Sequence, residues 1–148
     1  MSLNKLYQHT ILQHNKSPFH FRKMEQPDLM LEAYNELCGD QFTLYLQLEN
    51  DRISDISFHG YGCAISKAST SVLAQTLLGQ TVADAKHLTA QFLAFVKGET
   101  TDPPGPADFL AFQAAKDFPT RMKCATLSWE ELDWETIGNR DDSVSSND

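Results

Sequence analysis

With 148 residues the chain is long enough for one domain with its own core, and a formal net charge of −8 argues against a nucleic-acid-binding surface, which is typically basic. No run approaches the ~18 apolar residues of a membrane span, and Met1 to Thr10 lacks the apolar stretch of a signal peptide, so the expected compartment is the cytoplasm. Three cysteines are an odd number, which argues against a disulfide framework and for reduced thiols.

The spacing of Leu3, Leu6, Tyr7, Thr10, Ile11 and His14 predicts a helix over 3–14 that Pro18 ends. On that face His14 reads as a hydrogen-bonded packing histidine before it reads as a ligand. Three strands are expected next. Asp28 to Tyr34 is short and mostly apolar. Gln41 to Glu49 alternates, with Phe42, Leu44, Leu46 and Leu48 on one face. Arg52 to His59 follows the turn Asn50-Asp51, and its apolar spacing slips by one between Ile53 and Ile56, the mark of a bulge. The second and third strands form an antiparallel hairpin with one buried face.

Gly60-Tyr61-Gly62-Cys63 then turns strand into helix. Ala64 to Leu78 is dense in Ala, Ser and Thr, so this helix can pack close to another backbone, and Gly79 ends it. Thr81 and Asp84 resemble a capping box for a helix to about Lys97, with Ala85, Leu88, Phe92, Phe95 and Val96 buried. Pro103, Pro104 and Pro106 make the next stretch an exposed connection. Ala107 to Lys116 reads as a short helix offering Phe109, Leu110 and Phe112. A last helix from Pro119 buries Met122, Ala125, Trp129 and Leu132, with Cys124 in its first or second turn. Residues 1–138 are expected to form one α+β domain, a three-stranded, mainly antiparallel sheet packed with helices. Residues 139–148 read as a polar, disordered tail.

Each cysteine falls where structure changes. Cys38 lies between the first two strands, Cys63 at a strand-to-helix turn and Cys124 near a helix start. Helix N-termini favour thiolate, the form that binds metal and attacks sulfur. Cys38 and Asp40 flank Gly39, and a thiolate and a carboxylate that close can face one ion where the backbone turns. A hairpin that leaves this end of the sheet and returns to it brings Cys63 within reach. Three thiolates and Asp40 form a tetrahedral S₃O set for zinc, or the ligands of an iron–sulfur cluster. A carboxylate among soft sulfurs departs from the Cys₄, Cys₃His and Cys₂His₂ sets of structural zinc, and points to a site built for exchange. Spacing alone leaves a second reading open, since no CxxC hook is present and free cysteine is often a small core residue. Gly60-Tyr61-Gly62 is not a dinucleotide loop, because Ile65 stands where the third glycine belongs, and no pattern around Cys63 and His59 supports a thiol protease.

Four blocks resemble the SufU branch of the IscU/NifU N-terminal-domain family of iron–sulfur assembly proteins. They are Tyr7, Ile11, His14 and Pro18; Asn35 to Asp40; Gly60-Tyr61-Gly62-Cys63-Ala64-Ile65-Ser66 through Ser69; and Arg121-Met122-Lys123-Cys124-Ala125-Thr126-Leu127-Ser128-Trp129. Lys123 at the position that holds histidine in IscU-type scaffolds, and the long Pro-rich connection, place the resemblance in the SufU branch. Glu36 in place of the family's proline, and Lys67 where a larger apolar residue is common, depart from it. The resemblance implies a zinc-bound sulfur acceptor for a SufS-type, PLP-dependent cysteine desulfurase, feeding SufBCD-type cluster assembly machinery. It maps Cys38, Asp40, Cys63 and Cys124 onto zinc ligands, and Cys38 onto the thiol that receives the sulfur. Two other readings stand beside it. One is a scaffold that holds a [2Fe–2S] cluster on the same ligands, and the other is a binding module with a purely structural zinc. PLP belongs to the partner, and neither nucleic acid nor membrane is an expected partner.

Overall fold

The computed structural model describes residues 3–36, 39–100, 106–135 and 137. Along the chain run α1 (Leu3–Lys16), β1 (Leu29–Asn35), β2 (Asp40–Glu49), β3 (Arg52–Tyr61), α2 (Ala64–Leu77), α3 (Val82–Val96), a 3₁₀ helix (Ala107–Asp117) and α4 (Pro119–Glu130). The strands form one antiparallel sheet in the order β1-β2-β3, so the chain adopts the expected α+β fold.

The hairpin follows from local chemistry. Asn50 and Asp51 both take positive φ, at 53° and 61°, as a two-residue turn between right-twisted strands requires. Gln47 pairs with Asp55 and Leu48 with Ile53, which leaves Ser54 as the extra residue of a bulge and accounts for the slipped apolar spacing. Beyond the bulge Ile56 and Phe58 share the buried face with Phe42, Leu44 and Leu46. β3 runs two residues further than the apolar pattern suggests, because Gly60 and Tyr61 still pair with Phe42 and Gln41. Gly60 makes this possible. A Cβ on it would stand 2.1 Å from the Gln41 carbonyl oxygen, and its φ of +140° suits only glycine.

Helices cover one face of the sheet. Thr81 caps α3 by accepting the Asp84 N–H at 3.1 Å, as its sequence signature implies. Phe92 of α3 stacks on Trp129 of α4 with ring centroids 4.2 Å apart, and Phe109 meets Trp129 edge-on at 5.5 Å. The segment 107–117 winds as a 3₁₀ helix. Its buried Phe109, Phe112 and Ala115 recur every third residue, the period of three residues per turn, with the small Ala111 buried beside them and Leu110 only partly buried. Leu88, expected in the α3 stripe, is also only partly buried, and Val82 and Thr89 take buried places there.

The small residues of α2 bring it close to α4 through hydroxyls. Ser69 donates to the Ala125 carbonyl at 2.5 Å and accepts the Trp129 indole N–H at 3.0 Å, and Thr70 and Ser128 share a 2.7 Å hydrogen bond. His14 is a packing histidine. Its Nδ1 meets Ser71 Oγ at 2.7 Å and its Nε2 meets Asp108 Oδ2 at 3.2 Å, which ties α1 to α2 and to the 3₁₀ helix. Leu6 and Tyr7, expected on the same face, have side chains outside the described set, as do Pro103, Pro104 and the tail from Asn139.

Candidate metal centre

Three elements end at the same place. Asp40 is the first residue of β2 and shares strand parity with Phe42, so its carboxylate points to the helix-covered face and is 1% exposed. The chain enters β2 through Gly39, whose φ is +72° and whose N–H donates to the Asn35 carbonyl at 2.8 Å. Cys63 is the N-cap of α2, with extended backbone angles of −69° and 168°, and its Sγ accepts the Ser66 N–H at 3.4 Å. Cys124 lies in the second turn of α4 and is buried.

Asp40 joins the two sulfurs. Its Oδ1 accepts the Cys63 N–H at 2.8 Å, and its Oδ2 accepts the Cys124 S–H at 3.6 Å. This approach depends on Gly62. A Cβ there would stand 2.8 Å from Asp40 Oδ1, 2.6 Å from Ser66 Oγ and 2.8 Å from a ring carbon of Phe42. One donor atom from each of Asp40, Cys63 and Cys124 lies within 4.8 Å of the others. Two Zn–S bonds of ~2.3 Å at a tetrahedral angle hold their sulfurs about 3.8 Å apart, so small rotations suffice to close the three onto one ion.

The donor set itself fits a cation. A buried carboxylate ordinarily needs a positive partner, and no ion pair to Asp40 occurs among the described residues. Two soft sulfurs and one oxygen suit zinc or iron and leave a tetrahedral ion one place short. Cys38, the fourth residue expected here, lies outside the described residues.

One open groove takes in Cys63, and a second lies along α4 and the end of β1. The first, of about 510 Å³, is lined by Cys63, Ala64, Ile65, Gln8, Ile11, Leu12 and Arg121. The other, of about 500 Å³, includes Tyr34, Asn35, Glu36, Lys123 and Leu127 in its wall. The Arg121 guanidinium lies 4.7 Å over the Phe118 ring, and Lys123 is exposed. Lys67 sits with its amine over the Phe21 ring at 5.0 Å. Leu12, Tyr34, Tyr61 and Phe118, four large apolar side chains about half exposed or more, stand around this end.

Two residues of the site carry no individual role in the sequence analysis: Gly62 stands in a turn and Ser66 in a run of small residues, and both fall in one of the blocks that resemble the family. The signal for Ser66 was its place three residues after a capping cysteine, where a helix's third N–H meets the cap.

The model of the NifU-like N terminal domain matches residues 6–125. The chain is 34% identical over 133 residues to the zinc-dependent sulfurtransferase SufU of Bacillus subtilis (strain 168), covering 89% of this chain and 90% of that one. It is 35% identical over 133 residues to the iron–sulfur cluster assembly scaffold protein IscU of Streptococcus pyogenes serotype M1, covering 88% and 82%. The crystal structure of FiSufU from the thermophile Fervidobacterium islandicum AW-1 superposes with a TM-score of 0.79 at 31% identity, over 86% of this chain and 94% of that one.

Proposed function

Since the chain belongs to the NifU-like N-terminal domain family, we propose that it accepts sulfur from a SufS-type, PLP-dependent cysteine desulfurase and carries it toward iron–sulfur cluster assembly by SufBCD-type machinery. The observation that carries this reading is the convergence of the buried Asp40 carboxylate with the sulfurs of Cys63 and Cys124 at an end of the fold ringed by exposed apolar side chains. The similarity to a zinc-dependent sulfurtransferase supports it.

Asp40, Cys63 and Cys124 would hold zinc, with Cys38 as the fourth ligand and the sulfur acceptor. Bound zinc keeps the sulfurs as thiolates at neutral pH. The Cys38 thiolate attacks the outer sulfur of a persulfide on the desulfurase. A new S–S bond forms on Cys38, the partner's thiolate leaves with the electron pair of the broken bond, and no net oxidation occurs. Asp40 braces the site by holding the Cys63 N–H, and the groove beside Cys63 gives a partner an apolar foothold in Ile11, Leu12 and Ile65. Residues 1–138 act as one domain in the cytoplasm. No described helix is long and apolar enough to cross a membrane.

A second reading has its own support, in the similarity to a cluster assembly scaffold. On that reading the same four residues hold a [2Fe–2S] cluster as cargo. Protein purified without oxygen and without a tag separates the two. About one zinc per chain with no visible absorption supports sulfur relay, and iron with equal acid-labile sulfide supports the scaffold. Cys38→Ala should then abolish stimulation of a matching desulfurase, and undiminished stimulation would overturn the relay.

A further inference from the structure

The two described sulfurs sit on different helices. Cys63 caps α2 and Cys124 lies in the second turn of α4, so how these helices sit on each other sets the separation of the two donor atoms, now within 4.8 Å. Where α2 meets α4 the contact runs through buried hydroxyls. Ser69 uses both halves of its hydroxyl on α4: its proton goes to the Ala125 carbonyl, and its oxygen accepts the Trp129 indole N–H at 3.0 Å. Thr70 gives its proton to the Ser66 carbonyl of its own helix at 2.8 Å. In its 2.7 Å bond with Ser128, the Ser128 hydroxyl is therefore the donor.

Apolar contact is non-directional, so it holds two helices together while leaving them free to slide or turn. A hydrogen bond weakens steeply once distance and angle leave narrow ranges. Ala125 and Trp129 are one turn apart on α4, so Ser69 grips that helix at two heights, and Thr70 adds a third hold at Ser128. These bonds fix both the axial position and the rotation of α4. Ala125 follows Cys124 directly, and Ser69 lies within two turns of Cys63 on α2, so a slide of α4 is passed straight to the gap between the sulfurs. Trp129 is fully buried, and without Ser69 its indole N–H would be left to find another acceptor by moving, on the helix that carries Cys124.

We propose that Ser69 and Thr70 are positioning residues for the metal. Their hydroxyls lock the register of the two cysteine-bearing helices, so the Cys63 and Cys124 sulfurs stand ready for one ion before it arrives. The ordering is done when the protein folds, and metal binding does not have to supply it. This inference rests on the metal site proposed above. The experiment compares the full chain as wild type, Ser69→Ala, Thr70→Val and Thr89→Val. Thr89→Val is the matched control. Thr89 of α3 accepts the buried Trp134 indole N–H at 2.8 Å, so its loss orphans the same kind of donor in elements that hold none of the three ligating atoms.

Metal-free Ser69→Ala and Thr89→Val should both unfold at lower temperature than wild type. In zinc competition against a chromophoric chelator, run below every unfolding transition, Ser69→Ala should lose affinity on the order of tenfold, the lower end of what disturbing a ligand's supporting bonds does. Thr70→Val, whose bond lies further from Cys124, should lose less, and Thr89→Val nothing. Bound cobalt(II), whose ligand-field bands follow the angles between its donors, should show shifted bands in Ser69→Ala and wild-type bands in Thr89→Val. Wild-type zinc affinity in Ser69→Ala would overturn the proposal, and if that variant does not fold, wild-type affinity in Thr70→Val would do so. Equal losses in Ser69→Ala and Thr89→Val would overturn it too, because affinity would then follow overall stability alone, as would wild-type cobalt bands in Ser69→Ala. A wild-type protein that takes up neither zinc nor cobalt would overturn the metal site itself, and the inference with it.

Discussion

Gly62→Ala tests whether the site depends on the close approach of Asp40, Ser66 and Cys63. The added methyl would stand 2.6 to 2.8 Å from Ser66 Oγ, Asp40 Oδ1 and a Phe42 ring carbon. Phe42 is fully buried and cannot retreat, so the two polar groups must give way. Relieving such overpacking costs about 1–3 kcal/mol. Moving the carboxylate also weakens its 2.8 Å bond from the Cys63 N–H, and a hydrogen bond to a charged group contributes roughly 1.5–3 kcal/mol. With partial relaxation the sum is about 3 kcal/mol, or roughly 6–12 °C in Tm for a domain of this size. Because the displaced carboxylate is itself a proposed ligand, zinc affinity should fall by at least the roughly 10–100-fold typical of disturbing a ligand's supporting bonds.

The assay pairs thermal unfolding of metal-free protein with zinc competition against a chromophoric chelator. Gly79→Ala is the control. Nothing lies within 4 Å of a Cβ there, but φ is +83°, so it should cost only the backbone strain of about 1–2 kcal/mol and leave zinc affinity unchanged. Wild-type zinc affinity in Gly62→Ala would refute the reasoning, as would equal losses of affinity in both variants.

Asp40→Ala removes the one carboxylate of the set and should lower zinc affinity more than Gly62→Ala does. Full zinc occupancy of that variant in native mass spectrometry, with an equimolar chelator present, would remove Asp40 from the ligand set. His14→Ala deletes the bonds to Ser71 and Asp108 and should lower stability by about 2–3 kcal/mol in denaturant unfolding, while zinc uptake stays at the wild-type level. An unchanged denaturation midpoint would show that the link between α1, α2 and the 3₁₀ helix contributes nothing net.

Much of this molecule was legible because its signals are local. The alternation from Phe42 to Leu48 describes a half-buried strand, and the slip between Ile53 and Ile56 marks the residue that bulges. Thr81 at the cap of α3 and Cys63 at the cap of α2 are decided by the few residues around each. Even Asp40 was readable in part. Extending the β2 parity back two residues from Phe42 puts it on the buried face, although the apolar pattern alone starts that strand at Gln41.

What depends on partners distant in the chain was not legible. Residues 107–117 carry apolar side chains that suit an α-helix or a 3₁₀ helix, and the period of three is matched by burial of Phe109 and Phe112 against Phe92. Sequence names Arg121 as a neighbour of Cys124 on α4, but only the structure shows its guanidinium over the Phe118 ring. The sequence by itself determined the strands, the α-helices with the caps of α2 and α3, and the family blocks that carry the cysteines, because a few neighbouring residues settle each of these. Only the tertiary structure decided that Asp40 bridges Cys63 and Cys124, and that Ser66 and Gly62 shape the space between them. Those contacts exist only once β2, α2 and α4 have packed, since no one element's pattern encodes the distance between two others.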